Sequence, residues 1–386
     1  MRRSWRGRRI ERPCGVQTTA SEKKRLFGPD LIRATAIILV LLAHTFPGGH
    51  TWESVRTIKY LWGYFGVEIF FLLSGYLIGA ILINHLYSER LNSVGDAFSF
   101  WKRRWFRTLP NYYLFLFLIL LLARCTDGYF PGEAKDYIWF GQSLVSEHPF
   151  FFPTAWSLAI EEWFYIFFPL GLLTLSKIVS HRPRAVMICI AFFLFVPVLL
   201  RWLLPLGGWE TGIRRVTLPR LDVITYGVVL AFVQISWIQV WKYLLKLWPV
   251  GLVATFCLAG LLIHWQHGGE ISDLFFFRVL FFTFTSISLG LCFPKVVEIR
   301  MRENIVTKII RKLSLWSYSI YLSHALLGGI IVAVFNHFGW SIYKLNAVII
   351  ACLIWATTLP ISALLYQFYE RPIMNLRDRQ KPLFRK

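Results

Sequence analysis

The chain has 386 residues, of which 56% are hydrophobic and only 16% are charged, and its formal net charge is +21. Soluble domains carry about 25% charged residues, so this composition excludes an ordinary soluble enzyme and indicates a multi-pass membrane protein. In a soluble chain so much positive charge would suggest nucleic acid, but in a membrane protein basic loops carry topological information. The predicted partner is therefore the lipid bilayer, and no nucleic-acid partner is predicted.

Apolar stretches predict an all-α fold of about ten transmembrane helices, because about 20 apolar residues are needed to cross a bilayer. Pro110 is expected to mark the start of the third helix, since proline is well tolerated in a first helical turn. No internal repeat or separate soluble domain is visible. The predicted spans lie near 31–46, 61–84, 111–124, 159–179, 185–205, 221–237, 243–264, 274–293, 313–336 and 342–368.

The distribution of Lys and Arg predicts the orientation. Most of them fall on the segments that are cytoplasmic if the amino terminus is cytoplasmic, which puts both termini inside. The predicted organisation is a basic cytoplasmic tail over 1–30, a membrane domain over 31–368 and a basic cytoplasmic tail over 369–386. The first tail has no apolar core or small-residue cleavage site, so it is not a cleaved signal peptide. We expect a multi-pass protein of the cell (inner or plasma) membrane.

The first predicted span, DLIRATAIILVLLAHTF, carries Arg33 and His44. Their eleven-residue separation is about 1100° of helix, so the two side chains point in nearly the same direction, about 16 Å apart along the axis. In one interpretation Arg33 snorkels to the cytoplasmic rim and His44 caps the far end. In the other, one helix face carries a ligand site that links the two halves of the membrane. The sequence leaves both open.

Ionisable residues follow in and after the second span. Glu68 lies among aromatic and aliphatic residues, so a buried arginine or histidine partner is expected, with a functional role an open question. Arg104 and Arg107 lie in the basic stretch FWKRRWFRTLP. Such a stretch is usually a topology signal and lipid anchor. At positions i and i+3, however, these two arginines share a helix face and could bind a phosphorylated donor.

Two adjacent carboxylates interrupt the fourth span, in the stretch WSLAIEEWFY. Glu161 and Glu162 face about 100° apart on a helix, so only one can readily point into a polar cavity. That carboxylate would orient a histidine or a bound polar molecule through charge-assisted hydrogen bonds. The alternative is a structural ion pair, with Arg33 or Arg278 as the expected partner.

Two further polar features are candidates. Arg220 and Asp222, at the start of the sixth span, are predicted to form a local ion pair. His324 is an ionisable group inside the ninth span. It is a weaker candidate than His44, because a histidine satisfied by a neighbouring carbonyl would have the same sequence signature. The six cysteines lack CxxC or Cys/His spacing, so neither a disulfide framework nor a metal site is predicted.

These motifs, in this order and spacing, resemble the membrane-bound acyltransferase family 3 over essentially the whole chain. Each motif is weak alone, and it is the set that is specific. The set comprises the Arg, ten residues, His pattern at Arg33 and His44, GVEIFFLLSGYLI at 66–78, Arg-x-x-Arg at 104 and 107, WSLAIEEWFYIFFP at 156–169, PRLDVITYGVVLA at 219–231, LSLWSYSIYLSHALL at 313–327 and YERP at 369–372.

The resemblance implies transfer of an acyl group, often acetyl, from cytoplasmic acyl-CoA (typically acetyl-CoA) to a hydroxyl of a carbohydrate acceptor. It implies that His44 is the essential histidine and that Arg33, Arg104 and Arg107 are the arginines of the donor site. The chain resembles the stand-alone form of the family, without an appended extracellular hydrolase-like domain.

The chemistry of the residues agrees with that implication. A hydroxyl is a poor nucleophile near neutral pH, and histidine is the side chain whose pKa suits proton removal there, so His44 is the predicted general base. A covalent acyl-enzyme on Ser74 or Ser157 is an open alternative, and spacing selects neither. A transporter that uses buried Glu, Arg and His as a relay is the rival function. A third possibility is a scaffold without catalytic activity.

Overall fold

A computed structural model describes residues 26–45, 53–126, 132, 134–268, 274–339 and 347–379, which are helical and contain no β-strand. Within these ranges the α-helices are α1 (Phe27–Thr45), α2 (Glu53–Tyr87), α3 (Val94–Thr126), α4 (Ala134–Ile138), α5 (Ala155–Ile178), α6 (Arg182–Leu203), α7 (Asp222–Ser236), α8 (Ile238–Leu244), α9 (Trp248–Gly268), α10 (Phe281–Val297), α11 (Ile305–His337), α12 (Ala347–Leu365) and α13 (Arg371–Arg379). Single π-helical turns lie at Trp209–Ile213, Phe276–Leu280 and Tyr366–Glu370, and a 3₁₀ turn lies at Leu218–Arg220.

Ten of the described helices are long and apolar enough to cross a membrane. The predicted all-α fold and number of spans are therefore confirmed, including the first and third spans, whose apolar stretches are the shortest in sequence. All backbone hydrogen bonds of a helix are internal, which is why helices can cross the hydrocarbon region.

The predicted start of the third helix at Pro110 is wrong. Helix α3 begins at Val94 and runs through Pro110 without interruption, so the basic stretch is helical as well. A proline in a helix interior leaves the carbonyl four residues earlier without its usual donor. The helix nevertheless continues, with the neighbouring Thr108 and Pro110 carbonyls accepting hydrogen bonds from Tyr318 at 2.8 Å and Tyr369 at 3.2 Å. Packing against other helices outweighs the local penalty.

The boundaries of the two predicted tails differ from the helix boundaries in the structure. Residues 1–25 lie outside the described residues, and α1 already begins at Phe27, inside the segment predicted as tail. At the other end α12 continues through the turn at Tyr366–Glu370 into α13. The segment predicted as a tail from 369 therefore starts within a helical run, and residues 380–386 lie outside the described residues.

The centre of the molecule is the packing of α2 against α7, which depends on two glycines. A methyl group on Gly75 would overlap the backbone carbonyl of Ile224, and one on Gly227 would overlap the carbonyl of Leu72. The two backbones are in direct contact at this point, as small residues allow between membrane helices. The glycines of the GVEIFFLLSGYLI motif therefore have at least a packing role.

Gly75→Ala is expected to destabilise the protein by about 1–3 kcal/mol, because the added methyl group must push two helix backbones apart. Gly260→Ala in α9 is the matched control, since a methyl group there has no atom within 4 Å. Alanine is a better helix former than glycine, so the control is expected to be neutral or slightly stabilising. Thermal unfolding in detergent measures both. Equal unfolding temperatures for the two variants would contradict the close-contact interpretation.

Two buried ion pairs connect the helices around α7. Arg201 of α6 donates to both carboxylate oxygens of Asp222, at 2.8 and 2.7 Å, and both side chains are fully buried. The guanidinium also donates to the carbonyls of Val279 and Pro219. This bidentate geometry satisfies the charges that burial would otherwise penalise.

The second pair joins Glu68 of α2 to Arg220, whose guanidinium also lies 3.6 Å from the centre of the Phe282 ring. The expected buried arginine partner of Glu68 is thus found. The predicted local pair between Arg220 and Asp222 is wrong. These residues are two positions apart, and side chains at that spacing do not face each other on a helical backbone. Each pairs with a different helix instead.

Candidate active site

Helices α1 and α11 bring two histidines together. The ring centres of His44 and His324 are 4.8 Å apart, with an interplanar angle of 61°. Arg33, eleven residues before His44, hydrogen-bonds the hydroxyl of Ser314 at 3.2 Å, also on α11. Both residues therefore lie on the face of α1 that packs on α11. The contacts follow the same order along both helices, so α1 and α11 run in the same direction.

Backbone carbonyls determine which ring nitrogens carry protons. His44 Nδ1 lies 2.8 Å from the carbonyl of Val40, and His324 Nδ1 lies 3.1 Å from the carbonyl of Ile320. A carbonyl only accepts hydrogen bonds, so each Nδ1 carries the proton and each Nε2 is a free base in the neutral ring. His44 is exposed, whereas His324 is buried and its Nε2 has no hydrogen-bond partner among the described residues. His44 is the accessible base.

Of the two candidate serines, only Ser157 is near the histidines. Its hydroxyl lies 2.5 Å from that of Tyr321, and the Tyr321 ring centre lies 5.9 Å from that of His324. Both hydroxyls also lie within hydrogen-bond distance of the Thr154 carbonyl, at 3.2 Å for Tyr321 and 3.4 Å for Ser157, so either can be the donor in the shorter contact. Ser74 instead contacts the hydroxyl of Tyr165. Spacing along the sequence could not separate these serines.

Arg33 and Arg107 line a cavity of about 390 Å³ at the other end of α1. Ser314, which Arg33 contacts, donates to Asp30 at 2.7 Å. Opposite, Glu370 accepts hydrogen bonds from Asn111 at 3.1 Å and Ser319 at 2.9 Å. The cavity therefore combines two guanidinium groups with two anchored carboxylates. The residues that line it are Leu26, Pro29, Asp30, Arg33, Leu77, Arg107, Leu315, Tyr366, Glu370 and Met374.

Arg104 is held against α5, and it is not among the residues that line this cavity. Its guanidinium forms an ion pair with Glu161 at 2.9 Å and hydrogen-bonds Tyr165, which itself donates to Glu161 at 2.7 Å. The expected ion pair is present, but its predicted partners, Arg33 and Arg278, are wrong. Arg278 donates to the backbone carbonyls of Arg201 and Leu204 instead.

Glu162 points elsewhere, as the 100° between adjacent residues requires. It is buried and accepts a hydrogen bond from Thr108 at 2.9 Å, while its other oxygen has no hydrogen-bond partner among the described residues. Among the described residues, the rings of His44 and His324 hydrogen-bond to backbone carbonyls rather than to a glutamate. The role of either glutamate in catalysis stays a prediction.

Comparison with known proteins bears on these motifs directly. A family model described as "Acyltransferase domain" (Acyl_transf_3) matches residues 26–367. The chain belongs to this acyltransferase family. The predicted resemblance is confirmed, and so is the predicted enzyme class, an acyltransferase that moves groups other than amino-acyl groups, at the level of the family. No solved structure matches the chain.

Two bacterial proteins are similar to this chain along most of its length. "Putative peptidoglycan O-acetyltransferase YrhL" of Bacillus subtilis is 28% identical over 384 residues, which covers 90% of this chain and 54% of the relative. "O-acetyltransferase OatA" of Staphylococcus aureus strain NCTC 8325 is 27% identical over 378 residues, covering 90% of this chain and 57% of the relative. The chain spans about half the length of the curated relatives it matches.

This member of the acyltransferase family also carries a charged cluster that the sequence analysis missed. In the segment between α6 and α7, Arg214 donates to both oxygens of Glu210 at 2.8 and 2.9 Å, and Arg215 contacts the same carboxylate. Burial alone would raise the pKa of Glu210, but Arg214 and Arg215 outweigh it and hold the pKa below its ordinary value. The stretch ETGIRR could have indicated this cluster, because it places an acidic residue four positions before a basic one.

The described part of this member of the acyltransferase family contains no group of three or more His, Cys, Asp or Glu side chains placed to hold a metal ion. His148, for example, lies in the segment between α4 and α5 and bonds the carbonyl of Phe152 at 3.1 Å. Burial lowers its pKa to about 4, so this ring is neutral at physiological pH.

Proposed function

We propose that the protein is a membrane O-acyltransferase that moves an acetyl group from cytoplasmic acyl-CoA to a hydroxyl of a cell-surface or lipid-linked carbohydrate. One observation carries the proposal: a single helix, α1, joins an arginine-lined cavity to an accessible histidine whose Nε2 is a free base. The two ends are about 16 Å apart by helix geometry. The names of both relatives support acetyl as the group, and the name of the Bacillus subtilis relative supports peptidoglycan as an acceptor.

The donor would bind at the cavity, which faces the cytoplasm in the predicted orientation. Arg33 and Arg107 would hold the diphosphate of the coenzyme, since a guanidinium matches phosphate with two parallel hydrogen bonds. The pantetheine arm would then extend along α1 and carry the thioester towards His44. Glu161 and Tyr165 already occupy part of the Arg104 guanidinium. Arg104 would therefore bind the donor through its remaining N–H groups, such as its Nε, which has no hydrogen-bond partner among the described residues.

The chemical step takes place at His44. Its Nε2 takes the proton of the acceptor hydroxyl as that oxygen attacks the thioester carbonyl carbon. The C–O bond forms, the C–S bond of the tetrahedral intermediate breaks, and the thiolate of CoA leaves with the electron pair. The imidazolium then returns its proton to the thiolate or to water. The Val40 carbonyl, which holds Nδ1, keeps the ring in the reactive tautomer throughout.

The glutamates would act through other groups. We assign Glu161 as a positioning residue, because it and Tyr165 hold Arg104 against α5. Glu162 and Thr108 form a second link between α3 and α5. Orientation of His44, which sequence reasoning gave to a glutamate, falls to the Val40 carbonyl in this scheme. A role of either carboxylate in binding the sugar remains part of the proposal.

Transfer of label from radiolabelled acetyl-CoA to cell-envelope glycan, in membranes that contain the protein, tests the proposal. Arg33→Gln and Arg107→Gln are each expected to raise the KM for acetyl-CoA by about tenfold or more, because each removes a charge-assisted contact worth about 1.5–3 kcal/mol. Arg302→Gln is the control, since Arg302 is exposed in the segment between α10 and α11. An unchanged donor KM in both cavity variants would place the donor elsewhere.

The rival function, a transporter, predicts flux without any need for acyl-CoA. The buried Arg201–Asp222 pair supports it poorly, because both carboxylate oxygens are satisfied by one guanidinium and form no open relay. Vesicles that accumulate solute with no labelled glycan would favour the transporter. Function that persists without acyl-CoA or flux would favour the scaffold.

A further inference from the structure

The charged cluster of Glu210, Arg214 and Arg215, here called the outer cluster, lies near the end of α1 that carries His44. Arg214 Nη2 donates to the carbonyl of Gly63 at 3.3 Å. A Cβ on Gly63 would lie 3.2 Å from the side chain of Ala43, which precedes His44. The outer cluster therefore contacts α2 at the point where α2 packs on the last turn of α1.

A second path of contacts links the outer cluster to the pair of histidines. The guanidinium carbon of Arg214 lies 5.3 Å from the centre of the Trp156 ring, and the next residue, Ser157, contacts the hydroxyl of Tyr321. The Tyr321 ring lies 5.9 Å from that of His324. The outer cluster contains two guanidinium groups and one carboxylate, Glu210, so it carries a net positive charge.

The two arginines of the outer cluster differ in freedom. Arg214 is fixed by the bidentate contact to Glu210 and by Tyr60, Tyr64 and Trp156, whose ring centres lie 5.8, 5.4 and 5.3 Å from its guanidinium carbon. Arg215 makes one hydrogen bond to Glu210, and its guanidinium carbon lies 5.6 Å from the centre of the Phe150 ring. The Nε of each arginine has no hydrogen-bond partner among the described residues. Because Arg214 makes more contacts than Arg215, Arg215 has more donors left for a ligand.

The segment that carries the outer cluster is itself anchored. Thr217 donates its backbone N–H to the carbonyl of Ser143 at 2.7 Å, and His148 donates its backbone N–H to the carbonyl of Thr211 at 3.2 Å. The segment before α5 and the segment before α7 are therefore tied together. In the predicted orientation both lie on the outer side, where a surface glycan would approach. The outer cluster is therefore held by an anchored segment on the same side of the membrane as His44.

We propose that the outer cluster binds an acidic group, a carboxylate or a phosphate, on the acceptor glycan and so places the reacting hydroxyl at His44. This inference rests on the proposed function for its acceptor class and adds that the acceptor is anionic. Arg215 supplies the direct hydrogen bonds, since a guanidinium matches both groups in a planar bidentate geometry. Glu210 contacts both arginines and leaves the outer cluster with one net positive charge, which matches one acidic group.

The test is equilibrium binding of fluorescent oligosaccharides to the protein in lipid nanodiscs, without acetyl-CoA. Three oligosaccharides of equal length are used. The first is a neutral oligomer of N-acetylglucosamine, the second is the same oligomer with one uronic carboxylate, and the third is the same oligomer with one phosphate monoester. An acidic probe is expected to bind about tenfold more tightly than the neutral one, with a difference that shrinks as salt is added. The better of the two acidic probes identifies the group.

Arg215→Gln is expected to reduce binding of the acidic probe to the level of the neutral one, and Arg215→Lys to restore it in part. Lys135→Gln, which removes one exposed positive charge on α4, is the matched control and should leave the preference intact. Unfolding temperatures of the variants show that each is folded. Equal binding of all three probes, binding of none, or an equal loss for all probes in Arg215→Gln would overturn the inference.

This binding experiment is separable from the proposed function. If the acidic preference is found but no glycan accepts label from acetyl-CoA, the acidic site stands and the acyltransferase proposal fails. If label is transferred equally well to neutral and acidic glycans with equal affinities, the acyltransferase proposal stands and the acidic site fails.

Discussion

His44→Ala is expected to lower the rate of acyl transfer by about 10²–10⁴-fold, the usual contribution of a general base. The physical reason is that the acceptor hydroxyl loses the exposed histidine of the pair, while the other histidine, His324, is buried. The measurement is transfer of labelled acetyl groups from acetyl-CoA to glycan at saturating donor, with wild type and variant at equal levels in membranes.

His264→Ala is the matched control for this substitution, because His264 is an exposed histidine in α9. It is expected to leave transfer unchanged. Full activity of His44→Ala would remove His44 from the mechanism. If His324→Ala then abolished transfer, the buried ring would be the base, and access to it would have to be explained.

Arg201→Met is expected to destabilise the protein by about 3–5 kcal/mol, the cost of removing one partner of a buried ion pair. Asp222 would then be left fully buried without its counter-ion. Thermal unfolding in detergent, together with the yield of folded protein, measures the effect. The control is Arg182→Met, because the Arg182–Glu89 pair is also an ion pair of an arginine and a carboxylate, with a single contact at 2.9 Å, but its side chains are exposed to 31% and 70%. Exposed pairs contribute about 0–1 kcal/mol.

The double substitution Arg201→Met with Asp222→Leu separates charge from packing. It removes both charges and is expected to recover much of the lost stability, since two apolar side chains replace a pair that burial penalises. A double variant as unstable as Arg201→Met would show that the hydrogen bonds of Arg201 to the Val279 and Pro219 carbonyls, rather than the ion pair, stabilise this region.

The sequence by itself determined the fold class and the face of α1 that matters. Hydropathy is a local property, so each span could be identified without knowing its neighbours, even where Pro110 made the boundary wrong. The spacing of Arg33 and His44 was also informative, because helical periodicity fixes relative direction within one helix. The ordered set of motifs identified the family, which the match over residues 26–367 confirms.

Only the tertiary structure decided which charges meet. The sequence could not pair His44 with His324, or Asp222 with Arg201, because these contacts join distant parts of the chain and depend on how helices pack. For the same reason, the sequence could not show that Ser157 rather than Ser74 lies near the histidines, or that Glu161 pairs with Arg104. The outer cluster was missed for the same reason, because in sequence its residues resemble an ordinary charged loop. Local periodicity specifies a helix and its faces, while partners between helices follow from packing, which no single segment encodes.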